Sequence, residues 1–173
     1  MIDKFGKALI TMFGIGFFRY APGTIASLIT CSIFYLLWSF FGIKNLFFPF
    51  LFFVIIILIY STILVDKFYK GDDAREIVID EFIGQSIPLL AMINIKLKLK
   101  LITTPFADYP TEIWILLSFI LFRFFDIIKP FPINLIDKKM KNGLGVVLDD
   151  LLAGIYVLII FALFGHFFGP PFE

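Results

Sequence analysis

The chain has 173 residues, a net charge of +1 and 60% apolar residues, 25 of them phenylalanine. Too few polar residues remain to cover a water-soluble fold of this length, so the expected solvent is lipid. The near-neutral balance argues against a nucleic-acid partner, and the single cysteine excludes a disulfide framework or a multi-cysteine metal site.

Lys4 and Lys7 precede the apolar stretch 8–18, as in a secretory leader, but no small-residue cleavage site follows and the segment is expected in the mature protein. Residues 14–27 (GIGFFRYAPGTIAS) read as a glycine-rich loop with a Pro-Gly turn. Turn amides at a helix start, with the hydroxyls of Thr24 and Ser27, can hold phosphate oxygens. Residues 25–43 and 46–65 are uncharged and long enough to cross a bilayer, which predicts a helical hairpin turning at Lys44 and Asn45. Pro49 then falls near the first turn of the second helix, where its missing N–H costs least. Cys31 is expected to be an inert buried thiol.

Residues 82–95 form a shorter apolar run carrying Gln85, Ser86 and Pro88, expected to span or to re-enter the membrane. The following IKLKLKLI, residues 95–102, alternates at period two and predicts a hairpin arm or an interfacial segment. Residues 113–128 reach span length only if Arg123 and Asp126 are accepted within them. Such a helix exists at membrane depth when its polar side faces protein or a water-filled cavity. Residues 151–168 are the last span, with His166 near its end. The expected fold is all-α: a polytopic membrane helix bundle of about five membrane helices, one of them spanning or re-entrant, in a single domain over residues 1–173.

With the N-terminus inside, Lys44, Lys96, Lys98 and Lys100 fall outside and the other eleven basic residues inside, the bias expected of cytoplasmic loops. That topology delivers polar groups to one inner face. Asp80 and Glu81 open the third span, Asp126 closes the fourth, Asp149 and Asp150 open the fifth, and the turn at Gly23 and Thr24 opens the first.

Residues 78–84 (VIDEFIG) and 147–154 (VLDDLLAG) share a pattern of two adjacent acids followed by a glycine. Adjacent helical residues diverge by about 100°, so one acid of each pair can face the bundle. Acids at helix starts are also favoured by the macrodipole, which would account for either pair alone. Two pairs plus Asp126 in one small bundle would be costly without a cation. The oxygen-rich set Asp80, Glu81, Asp126, Asp149 and Asp150 suits Mg²⁺. Gly84 and Gly154, about a turn beyond the acids, permit close approach of another backbone.

In residues 122–132 (FRFFDIIKPFP), Arg123, Asp126 and Lys129 are three apart and share one helix side until Pro130 limits it. They form either an internal ion network or the cationic holders a phosphate dianion requires. No C-x5-R motif follows Cys31, no D-x-D-x-T loop occurs, and the single histidine lies far from the acids. What remains is water activated by metal-bound carboxylates, or a carboxylate attacking directly.

The segments APGTIAS (21–27), IDEFIG (79–84), FRFFDIIKPFPI (122–133) and GLGVVLDDLLAG (143–154) occur in this order and context in the phosphatidylglycerophosphatase A family. The chain resembles that family from about residue 14 to about residue 156. The resemblance implies a multi-pass enzyme of the bacterial inner membrane, Mg²⁺-dependent and facing the cytoplasm. Its phospholipid substrate would be phosphatidylglycerophosphate, which loses its terminal phosphate to give phosphatidylglycerol. Carried over residue by residue, it points to Asp80, Glu81, Asp126, Lys129, Asp149 and Asp150, with Thr24 and Arg123 beside them. The competing class is a transporter or ion-binding membrane protein, which would place its charges near the midplane along a continuous path. Here they gather at span ends on one side. A CDP-alcohol phosphotransferase ranks lower, because its D-x2-D-G-x2-A-R signature is absent.

Overall fold

The computed structural model describes residues 2–70, 72–101 and 110–168, with the side chains of all but residues 2, 43–45, 94–101 and 165–168. The described residues are helical and contain no strand. The helices are α1 (Ile2–Ile10), α2 (Pro22–Phe41), α3 (Ile43–Tyr69), α4 (Ile79–Leu101), α5 (Thr111–Ile128), α6 (Ile133–Lys139) and α7 (Gly143–Phe168), with a 3-10 turn at Ile15–Phe17.

Three helical segments, Pro22–Phe41, Leu46–Tyr69 and Gly143–Phe164, are long and apolar enough to cross a membrane. Their outward residues are large and apolar: Phe40 is 81% exposed and Phe48 74%, a surface that lipid would cover and water would not. This is a membrane protein. Its centre is the α4–α7 pair, with α2, α3 and α5 packed around it.

The polar character of α4, which weakens it as a lipid-facing span, has an internal explanation. Ile83, Gln85, Ser86, Leu89 and Met92 are fully buried. Gln85 Nε2 donates to Ser118 Oγ on α5 at 2.8 Å, and Ser86 Oγ donates to the Phe82 carbonyl at 2.7 Å. Hydropathy measures fitness for lipid, whereas this helix is surrounded by protein along its first four turns.

Three expectations need correction. First, α4 runs unbroken from Ile79 to Leu101 through Pro88, so residues 82–95 do not turn back and residues 95–101 are not an extended arm. Leu and Lys rank among the good helix formers, and a short alternation does not override a helix already propagating into it. Residue 102 lies outside the described residues. Second, the α2–α3 hairpin turns at Gly42 (φ +72°), whose N–H donates to the Trp38 carbonyl at 2.9 Å. Lys44 and Asn45 belong to α3, and Pro49 lies inside that helix in its second turn.

Third, α7 begins at Gly143, about two turns earlier than residue 151. Its first amides are capped from outside the helix. Asp66 Oδ1 accepts from Gly143 N at 2.5 Å, and Asn142 Oδ1 from Gly145 N at 2.8 Å. Asp149 and Asp150 therefore sit within α7 rather than at its opening, which removes the helix-start explanation for that pair. Asp80 and Glu81 do lie in the first turn of α4.

Within the apolar stretch 8–18, α1 stops at Ile10, and Met12 and Phe13 take positive φ. α1 lies against the end of α3, with Lys67 Nζ 2.6 Å from Asp3 and Lys7 over the Phe68 ring.

Candidate active site

The starts of α2, α4 and α7 meet the end of α5 at one end of the bundle. Around a cavity of about 440 Å³ they place Thr24, Asp80, Glu81, Arg123, Asp126, Lys129, Asp149 and Asp150. The α3–α4 connection adds Asp73 and Arg75. The convergence expected from the order of spans is thus present in three dimensions.

Close approach of α4 and α7 makes it possible. A Cβ on Gly84 would lie 2.6 Å from the Asp150 carbonyl oxygen, and one on Gly154 would be 2.3 Å from the Gly84 carbonyl oxygen. The two glycines that follow the acidic pairs pack backbone against backbone and bring the pairs together. Asp80, Glu81 and Asp150 each offer a carboxylate oxygen within 4.8 Å of the others. Glu81 Oε2 and Asp150 Oδ2 are buried without any hydrogen-bond partner. Orphaned buried oxygens are costly, and three carboxylates at this spacing repel one another. An all-oxygen set of this kind fits a small hard divalent cation.

The other two expected ligands are occupied differently. Asp126 Oδ2 pairs with Arg123 Nη1 at 2.7 Å, and Arg123 lies 3.9 Å from Glu81 Oε1. Asp149, only 6% exposed, pairs through Oδ2 with Lys129 Nζ at 2.7 Å. The five acids therefore divide into a trio that only Arg123 approaches, at 3.9 Å from Glu81, and two acids closely balanced by cations at 2.7 Å.

The expected Arg–Asp–Lys ladder is broken at its last rung. Pro130 cannot continue the helix, and Lys129 caps α5 in left-handed geometry (φ +45°). Its ammonium is thereby carried to Asp149 and, at 2.8 Å, to Asp137 Oδ1 on α6. Burial alone would lower the Lys129 pKa, but the hydrogen bonds to Asp137 and Asp149 outweigh it and hold the pKa above the ordinary lysine range. The bond from Lys129 in turn holds the Asp137 carboxyl below the usual carboxylate range.

Thr24 lines the cavity, whereas Ser27 does not. Ser27 is fully buried one turn further along α2, where its Oγ donates to the Gly23 carbonyl at 3.0 Å. Cys31 is buried in α2 away from the cavity. His166 lies sixteen residues beyond Asp150 on α7, about 24 Å along the axis at 1.5 Å per residue. Sequence reasoning missed Asp73, Arg75 and Asp137 as residues of this region. The run GDDAREIVIDE, dense in charge between two apolar helices, was the available signal for the first two. Asp137 carried none beyond a charge in a short amphipathic stretch.

Fold and site together define a membrane helix bundle with a cavity at one end lined by acidic side chains and by arginine and lysine. The chain belongs to the phosphatidylglycerophosphatase A family, whose model matches residues 8–165. Phosphatidylglycerophosphatase A of Haemophilus influenzae is 37% identical over 155 residues, covering 87% of this chain and 83% of that protein. Phosphatidylglycerophosphatase A of Escherichia coli is 30% identical over 158 residues, covering 89% and 80%. A protein of Bacteroides thetaiotaomicron, named as a candidate phosphatidylinositol-3-phosphatase, is 31% identical over 156 residues, covering 88% and 89%. No solved structure matches the chain.

Proposed function

We propose that this protein hydrolyses the terminal phosphomonoester of phosphatidylglycerophosphate to phosphatidylglycerol and phosphate, with Mg²⁺, at the cytoplasmic face of a bacterial inner membrane. The observation that carries the reading is the carboxylate trio Asp80, Glu81 and Asp150 beside Arg123 and Lys129, in a chain of this family. A transporter path is less well supported, because the charges cluster at one end of the bundle. The inward orientation rests on the basic residues at the cavity end, among them Lys67, Lys70, Lys138, Lys139 and Lys141.

A lipid substrate is supported by what adjoins the polar cavity. On the first turn of α4, Asp80 and Glu81 face the acidic cavity, while Ile79 and Phe82 line an apolar cleft of about 770 Å³ shared with α2 and α3. Headgroup and hydrocarbon chemistry therefore meet within a single turn.

Asp80, Glu81 and Asp150 would hold the cation, whose contribution is Lewis-acid stabilisation of phosphoryl charge. Arg123, fixed by Asp126, presents its guanidinium to phosphate oxygens, and Lys129, fixed by Asp137 and Asp149, offers a second positive point. Hydrolysis forms a P–O bond to a water oxygen and breaks the P–O bond to glycerol. The water proton passes to a cavity carboxylate, and the departing glycerol oxygen takes up a proton. Thr24 at the start of α2 can donate its hydroxyl to a phosphate oxygen.

The test is phosphate release from phosphatidylglycerophosphate and from phosphatidylinositol 3-phosphate by the purified protein, across a Mg²⁺ titration. Asp150→Asn and Asp80→Asn should shift the Mg²⁺ requirement upward, and Asp149→Asn should not. Full activity in excess chelator, or turnover confined to the inositol lipid, would overturn the reading.

A further inference from the structure

We infer that Arg75 is a specificity residue that receives the phosphodiester of the lipid headgroup, a second anion beside the phosphomonoester that is hydrolysed. The inference rests on the phosphatase reading above and deepens it by stating what the cavity recognises.

Three cationic side chains line the cavity, and they differ in what they already hold. Arg123 is paired with Asp126 and lies near Glu81. Lys129 is shared between Asp137 and Asp149. Arg75 takes part in none of the ion pairs among the described residues. Its Nη2 donates instead to the main-chain carbonyl of Arg19. A carbonyl bond fixes the arm without cancelling its charge. A guanidinium has five N–H donors in a planar fork, so most remain available for a phosphate, which such a fork matches in a bidentate way.

Position agrees with charge. Arg75 stands in the connection between α3 and α4, five residues before Asp80, and is exposed, whereas Asp80 and Asp150 are buried. It therefore occupies the outer part of the cavity, beside the exposed Asp73, while Asp80 and Asp150 lie in the inner part. Phosphatidylglycerophosphate carries two phosphate groups separated by a glycerol. If the terminal group goes inward to the trio, Arg123 and Lys129, the diester stays outward and also needs a cation. Arg75 supplies one that no acid has claimed. Phosphatidylinositol 3-phosphate likewise combines a diester with a monoester, while phosphatidate has the monoester alone.

The experiment compares wild type, Arg75→Gln and Arg75→Lys, full length in mixed micelles, on phosphatidylglycerophosphate and phosphatidate with matched acyl chains. Arg75→Gln should lower the ratio of kcat/KM for the first substrate over the second about 10- to 100-fold, mainly through KM, with partial recovery in Arg75→Lys. Phosphatidylglycerol, which keeps only the diester, should inhibit the wild type more strongly than Arg75→Gln, a readout that needs no turnover of phosphatidate. Equal losses on both substrates with unchanged inhibition would make Arg75 merely structural and overturn the assignment. A wild type that releases phosphate from neither lipid would instead sink the phosphatase reading beneath it.

Discussion

Gly84→Ala places one methyl group where α4 and α7 touch. The added Cβ would lie 2.6 Å from the Asp150 carbonyl oxygen and 2.7 Å from a Phe122 ring carbon, whereas ordinary contact begins near 3.4 Å. The helices must therefore separate locally by about 0.8 Å, the difference between those distances, or distort to relieve the overlap. Overpacking of this kind costs about 1–3 kcal/mol. The functional cost should be larger than the stability cost, because α4 and α7 carry the trio from opposite sides. A misplacement of about 1 Å in reacting groups can cost on the order of 100-fold in rate. The assay pairs thermal unfolding in detergent with a Mg²⁺ titration of phosphate release. Expected are a variant that still folds, a lower melting temperature, a higher Mg²⁺ requirement and kcat down by about two orders of magnitude. Unchanged kcat and Mg²⁺ dependence would show that the trio does not depend on this contact, and would refute the proposed role of the glycine pair.

Lys129→Met keeps the apolar stem but leaves Asp149 buried without its counter-charge; phosphate release should fall roughly 30- to 1000-fold and should not recover with added Mg²⁺. Adding Asp149→Asn should restore much of the melting temperature but not the rate, and recovery of both would remove Lys129 from the phosphate site. The Lys129–Asp137 pair should be insensitive to pH near neutrality. Asp137 titrates below its unfolded value, so its contribution is present above about pH 4 and fades as pH falls through the folded pKa; Lys129 titrates above its unfolded value, so its contribution persists up to about pH 10. The melting difference between wild type and Asp137→Asn should thus stay constant from about pH 5 to 9, and a decline between pH 6 and 8 would contradict the pairing. His166→Gln and Cys31→Ser should leave turnover nearly intact, and a dead His166 variant would redirect attention to the far end of α7.

The all-helical class, the lipid-facing hairpin and the meeting of acids at one end were legible in the residues, for reasons that act locally along the chain. Long uncharged runs must be helices that satisfy their own backbone in lipid. Counting such runs places alternate helix ends on alternate sides, so the order Thr24, Asp80, Asp126, Asp149 already implies a shared end. The two D/E-pair-plus-glycine segments were likewise visible as chemistry looking for a cation.

What the chain alone did not decide was which charges pair. Asp149 and Asp150 are adjacent and chemically identical, yet one faces Lys129 and the other joins Asp80 and Glu81. That division depends on the rotation of α7 against α4, which the Gly84–Gly154 contact sets across 70 residues of sequence. Lys129 left its expected ladder because its cap geometry aims it at α6, an element with no marked signature. Periodicity reports which side of a helix a residue occupies. Only packing between helices decides which partner stands there, and electrostatics over a few ångströms then separates a bare carboxylate from a neutralised one.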